Sequence, residues 1–424
     1  MQETLLHHIW NFKKFDFLNA TTQQGQQLII SSVGIHNTTQ SGPDFFNAKL
    51  KIDDQLWAGN VELHLKSSDW YAHRHEKDPA YDNVILHVVW EHDVEIYRKD
   101  GQPIPTLTLK ELVSESLLRK AQKLLSNKTK WIACEDEFPL IEEFTLSHWL
   151  ERMYLERLEE KSNEIERLVE QTQSNWEEVL FLMLAKNFGL NVNGSFFFNA
   201  LQSLPFNVVL KTRHNRFQLE ALVFGQCNLL QANEEVFYAN SLLKEYNYLV
   251  KKFKLENHST ETPKFFRLRP DNFPTIRLAQ FVELYASNSN LFSKIIECTT
   301  LQEIETVFKI EVSEFWQTHY SFTSSHKQKK KQLSKAFVRL LIINTIIPLT
   351  FFYNKKNGLE NTTIINWMRL LPLELNNITK GYTAIYPSLN ANALYSQGLI
   401  HMKRNYCDKL KCLNCEIGLK IIKK

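Results

Sequence analysis

Apolar positions along the chain recur first at helical spacing, then alternate, and return to helical spacing for the remaining two-thirds. Leu5, Leu6, Ile9, Trp10 and Phe12 fall on one helical stripe and predict a short amphipathic helix over 4–15. Strand signals follow at 28–33, 45–52, 55–66, 84–90 and 106–109, with 45–52 and 55–66 joined as a hairpin at Asp53-Asp54. The order is helix, three strands, a polar connection over 73–83, then one or two strands. Beyond residue 111 helical periodicity dominates, with helices predicted over 145–171, 176–188, 195–203, 217–224, 234–253, 275–286, 301–308 and 336–352. The pattern divides the chain into an α/β domain over 1–115 and a mostly α-helical domain over 116–424.

Composition narrows the class. A chain of 424 residues with 43% hydrophobic and 12% aromatic residues buries a sizeable core and is not disordered. The net charge of +3 gives no global field that advertises nucleic acid, so any basic surface is local. The most apolar run, 340–353, is short for a bilayer and contains Asn344, Thr345 and Pro348, which predicts a kinked buried helix and no membrane span. Six cysteines without a secretory leader point to a reducing, cytoplasmic setting in which clustered thiols bind metal more often than they pair. Nothing in the pattern fixes an oligomeric state.

Candidate chemistry concentrates in GPDFFNAKL and the following VELHLKSSDWYAHRHEKDPAYDNVILHVVW. Strand alternation places Glu62, His64 and Lys66 on one face while Val61 and Leu63 face the core. The hairpin can bring Asp44 to the same edge. Asp44 and Glu62 as oxygen ligands suit Mg²⁺ or Mn²⁺, which would acidify a bound water and offset charge on a scissile phosphate, with Lys66 orienting that water. His73 and His75 in the connection, close to Asp78, Asp82 and the strand residue His87, offer a His-x-His alternative for zinc or another transition metal. The bland alternative is a turn cap at Asp44 and a solvated strand face at Glu62, His64 and Lys66.

These residues resemble the PD-(D/E)XK nuclease superfamily: Pro43-Asp44 looks like the PD half, and Glu62 like the acidic residue of the second half. The resemblance implies an αβββαβ core and metal-dependent phosphodiester hydrolysis of DNA or RNA. The sequence departs from the motif in having His64 two positions after Glu62. Either His64 replaces the lysine, or Lys66 reaches in from the next same-face position, or the site is inactive and the chain is a non-catalytic nucleic-acid-binding or scaffold protein.

Near the end, Cys407, Cys412 and Cys415 stand at C-x₄-C-x₂-C spacing, which suits zinc or a [4Fe–4S] cluster with a fourth ligand from elsewhere. Cys134 is the candidate for that ligand, with His401 as the alternative; Cys227 and Cys298 sit in apolar helical patterns and read as core residues. One distant cysteine plus three at the far end resembles the iron–sulfur staple of exonucleases in bacterial recombination helicase–nuclease complexes and of some CRISPR-adaptation nucleases. The trio alone is similar to the cluster loop of helix-hairpin-helix DNA glycosylases, without that family's downstream fourth cysteine. Residues 401–424 hold Lys403, Arg404, Lys409, Lys411, Lys420, Lys423 and Lys424 against Asp408 and Glu416, a phosphate contact or a solvated tail. Arg267, Arg269 and Arg277, around Pro270 and Pro274, read as structural. Together with LRPDNFPTIRLAQ and GLIHMKRNYC, the N-terminal segments resemble the bacterial domain of unknown function 2851 family, found largely in Bacteroidetes.

Overall fold

The computed structural model describes every residue except 39, 128, 233–235, 257–260, 390, 391 and 424, so Lys424 and the expected start of the 234–253 helix lie outside the described residues. The chain forms two compact units, one of Met1–Trp149, Gly381–Ser388 and Met402–Lys424, the other of Leu150–Lys380 and Leu389–His401. Strand signals stop near residue 115, but the first unit extends to Trp149 and takes back the cysteine-bearing tail.

The first unit opens with α1 (Glu3–Asn11), which buries Leu5, Leu6, Ile9 and Trp10. A mixed sheet follows, built from β1 (Leu28–Ser32), β2 (Ile35–His36), β3 (Phe45–Ile52), β4 (Gln55–Lys66), β5 (Val84–Glu91) and β6 (Thr106–Thr108). Strand order is β1-β3-β4-β5-β6, with β2 also on β3. The β3–β4 hairpin is antiparallel and turns at Asp53-Asp54, where Asp53 takes φ +50°, the left-handed backbone that two-residue hairpin turns require. β4 and β5 are parallel, as are β5 and β6. A parallel neighbour needs a crossover. The residues between β4 and β5 supply it, through α2 (Asp69–Ala72) and two 3₁₀ turns at His75–Lys77 and Pro79–Tyr81.

This crossover changes the environment of β4. A half-buried strand alternates, yet Val61, Glu62, Leu63 and His64 are all buried, so both faces of its second half are covered. Close approach of β5 depends on Gly59, where a Cβ would lie 2.5 Å from Ile85 Cγ2 and 2.7 Å from the Asn83 carbonyl oxygen. The adjacent pairing is irregular between Asn60 and Val61. α3 (Glu115–Ser126), capped by Ser114 on Leu117 N–H, completes the helical side of this unit before the chain enters α4 (Glu143–Gln171).

The second unit is largely helical, with one short antiparallel strand pair, His319–Ser321 with Ser324–Ser325. α4 continues into it, followed by α5 (Trp176–Phe188), α6 (Leu190–Gln202), α7 (Phe206–Thr212), α8 (Arg216–Gln226), α9 (Phe237–Phe253) and α10 (Pro274–Ser287). Pro274 sits in the first turn of α10, where its missing N–H costs nothing. Arg277 is buried with its guanidinium 3.6 Å from the Phe337 ring centroid and donates to Asn272 and Gln280, a packing role. The helical run Lys335–Lys356 is long and apolar enough to cross a bilayer, and 72% of its most apolar stretch is buried inside the chain. A π turn at Ile342–Ile346 precedes Pro348 and absorbs the break that proline makes in the helical ladder.

Two outcomes follow from this packing. Gly59→Ala forces β4 and β5 apart and should lower stability by roughly 1–3 kcal/mol, measured by chemical denaturation. Inside the second unit Glu220 is buried on α8, accepting from Trp316 Nε1 at 2.6 Å and Tyr238 Oη at 3.0 Å. Burial pushes its carboxyl up to about 7 despite those two donors. Stability from this group is present below the unfolded carboxylate pKa and is lost as pH rises through about 7. Glu220→Gln, neutral at every pH, should therefore raise the melting temperature more at pH 8 than at pH 5.

Candidate functional site

β4 projects Glu62 and His64 from the same face, two positions apart. Pairing of Phe45 with Val61 sets the start of β3 level with Glu62, which brings Asp44 alongside. The Asp44 backbone N–H donates to Glu62 Oε2 at 3.0 Å, and Asp44 Oδ2 accepts from the Leu63 N–H at 2.9 Å. Two carboxylates 18 residues apart thus share one edge of the sheet. α1 adds His7, whose Nε2 lies 3.3 Å from Asp44 Oδ2.

The crossover supplies two more imidazoles. Arg74, at φ +62°, turns the chain between His73 and His75 so that both rings return to β4. His64 Nε2 stands 3.1 Å from His73 Nδ1 and 3.5 Å from Glu62 Oε1, and His75 Nε2 stands 3.4 Å from the same Glu62 oxygen. One ring nitrogen from each of His64, His73 and His75 lies within 4.8 Å of the others. The His64–His73 contact and the two Glu62 contacts, at 3.1–3.5 Å, lie near the ligand–ligand edges of about 3.3–3.4 Å that a tetrahedral ion with bonds of about 2.0–2.1 Å sets, while the group mutually within 4.8 Å is the three histidines without Glu62. Two imidazole lone pairs cannot face each other at 3.1 Å without a proton or a cation between them. His75 Nε2 is buried and makes no hydrogen bond. On its far side His64 Nδ1 contacts His87 Nε2 at 2.8 Å, which fixes the ring as an outer partner fixes a ligating histidine. Tyr81 stacks on His75 with ring centroids 3.7 Å apart, and Trp70 meets His75 and His87 edge-on.

The electrostatics match the crowding. Burial, then the neighbouring Asp44 carboxylate, holds Glu62 well above the ordinary carboxylate range. Burial pulls His64 down to about 4, with His75 and His73 adding to the effect, and lowers His75 and His87 as well. Neutral imidazoles keep a lone pair free for a ligand. Burial also pulls on His7, but the Asp44 carboxylate outweighs it and leaves that pKa above the usual histidine value.

Of the residues singled out in the sequence, Asp44, Glu62, His64, His73 and His75 come together, and His87 supports them from β5. Lys66 stands apart: it is exposed at the end of β4, and its backbone N–H donates to Asp69. Asp78 caps the turn at Pro79, accepting from the Ala80 N–H. Sequence reasoning passed over His7, whose place beside an apolar helix stripe gave no local sign of a site, and Tyr81; of Trp70 and Tyr71, which flank the histidines in sequence, it is Trp70 that packs on His75 and His87. Beside the cluster lies a cavity of about 360 Å³ lined by Trp70, His75, Tyr81, Arg98 and Lys99 among others.

The cysteines segregate cleanly. Cys134, Cys407, Cys412 and Cys415 line one cavity in the first unit. Cys227 is buried in the core of the second unit, and Cys298 Sγ donates to the Lys294 carbonyl. His401 lies 3.5 Å from carboxylate oxygens of Glu156 and Glu160 in the second unit.

The chain belongs to a family described as protein of unknown function (DUF2851), whose model matches residues 3–377. That span includes Asp44, Glu62, the histidine cluster and Cys134, and ends before the cysteine trio. No curated protein and no solved structure matches the chain.

The cluster makes a direct prediction. Titration with Co²⁺ or Mn²⁺ should show one site that His73→Ala or His75→Ala weakens by roughly 10–100-fold or more, while Lys66→Ala leaves it unchanged. Equal affinity in wild type and both histidine variants removes the cluster as a metal site.

Proposed function

We propose that this protein is a metal-dependent phosphodiester hydrolase acting on DNA or RNA, with a divalent ion held by Glu62, His64, His73 and His75 and with Asp44 at its edge. The observation that carries the reading is the meeting of Asp44 and Glu62, from the start of one strand and the middle of the next, beside three buried imidazoles. The order of helix, four strands of which β2 has only two residues, crossover and parallel strand supports a PD-(D/E)XK-like core, in which an acidic pair occupies these two strand positions. Three nitrogens and one carboxylate oxygen at these spacings suit Mn²⁺, Co²⁺ or Zn²⁺ better than Mg²⁺, which demands near-octahedral oxygen coordination.

When bound, such an ion acidifies a water and offsets charge developing on the scissile phosphate. The protein's own groups do the rest. Asp44 takes two roles: its carboxylate orders the Leu63 backbone and faces His7, and its N–H holds Glu62 in place. His7, with its pKa raised beside Asp44, is placed to exchange a proton with that carboxylate. The neighbouring cavity sets Arg98 and Lys99 among Glu76, Asp82 and Asp100, so cations that could meet a phosphate stand beside carboxylates there.

The position of Lys66 favours a second reading, a nucleic-acid-binding protein that keeps the core without turnover. One experiment separates them. Purified protein with Mn²⁺ should cut single- or double-stranded DNA or RNA, and Glu62→Gln should lower the rate by roughly 10²–10³-fold with an unchanged circular dichroism spectrum. Salt-sensitive binding without cleavage under any of these ions selects the second reading.

A further inference from the structure

We infer that Cys134, Cys407, Cys412 and Cys415 ligate one thiophilic metal centre, zinc or iron–sulfur, that fastens the C-terminal tail to the turn after α3. The four thiols reach one cavity in the first unit from stretches far apart in the chain. Cys134 lies in the turn that follows α3. Cys407 ends a π turn, Lys403–Cys407; Cys412 opens a 3₁₀ turn; Cys415 precedes the final helix, Glu416–Lys423. Leu410, at φ +51°, reverses the chain between Cys407 and Cys412. Gly418 is required beside them, because a Cβ there would collide with the Cys412 carbonyl. All four are free thiols.

Apolar packing does not account for this gathering. A cysteine used as a small core residue sits singly among apolar side chains, as Cys227 does in the second unit. Here four of the chain's six cysteines share one wall, and donors are turned toward the sulfurs. The Ile417 and Gly418 N–H groups, at the start of the final helix, donate toward the Cys415 sulfur. Tyr382, wholly buried against Trp131 and Phe138, brings its hydroxyl to 3.4 Å from Cys407 Sγ. Lys411 lines the same cavity. A neutral thiol is a weak acceptor and gains little from such donors, whereas a ligating thiolate is anionic and is tuned by them. Burial first, and then Cys407, Cys415 and Cys412, hold the proton on Cys134, and a bound metal cation reverses that balance by keeping its thiolates deprotonated.

Position also assigns the fourth ligand. His401 faces the Glu156 and Glu160 carboxylates of the second unit, and Cys134 completes the set within the first. The consequence is mechanical. All of Leu150–Lys380 lies between Cys134 and Cys407, and a metal clip that closes so long a loop removes conformational entropy from the open chain. The tail carries Lys403, Arg404, Lys409 and Lys411 among its cysteines, so its release is readable with trypsin.

The test uses the full chain, purified anaerobically as wild type and as His73→Ala, so that metal at the histidine cluster is counted separately. Both should carry the cysteine-bound centre in one of two forms: about one zinc per chain without colour, or about four iron and four acid-labile sulfide with a brown chromophore. Cys134→Ser should lose most of that metal and speed tryptic cleavage between Lys403 and Lys411 by roughly tenfold or more, whereas Cys298→Ser should change neither. A wild-type or folded His73→Ala chain that carries neither metal as isolated, and takes up neither zinc nor iron with sulfide, overturns the inference. So does a folded Cys134→Ser variant that keeps the wild-type metal content or the wild-type protection of the tail. Because metal is read first on chains with all four cysteines intact, a Cys134→Ser variant that fails to fold does not blunt the test.

Discussion

The costliest feature of the first unit is a carboxylate taken out of water on the second face of β4. Glu62 is 5% exposed and His64 is 2% exposed, on a strand whose other face is already committed to Val61 and Leu63. An isolated buried carboxylate is strongly unfavourable, and real proteins neutralise it, pair it or bind an ion with it. Every nearby element answers that constraint. The Asp44 N–H and His75 come to Glu62 directly, and His7 stands one residue further out against Asp44. The parallel crossover is what makes the second face buried at all. It also delivers the two histidines.

That dependence explains what the sequence made legible. Alternation and turn residues located β3 and β4 to the residue, since both periodicity and the Asp-Asp turn are local properties. Convergence of Asp44 and Glu62 followed from hairpin register, which loop length fixes. Burial of Glu62 and His64 was not legible, because a polar-apolar alternation looks the same whether its polar face meets water or a crossover carrying more polar groups. His7 was invisible for a related reason. Its role comes from a contact across 37 positions, and nothing within α1 distinguishes it from the neighbouring His8. Burial sends His8 the opposite way, down to about 4.

Lys66 shows the limit of face parity. Residues two apart on a strand share a face but stand about 6.6 Å apart along it, enough to pass from the covered part of β4 to its exposed end. His64 occupies the buried position and is held there by His87 and His73, so the imidazole stands where face counting admitted either residue. A neutral imidazole offers a lone pair and an ammonium does not. The position two residues after Glu62 therefore sets a lone-pair donor, 3.5 Å away, beside the carboxylate.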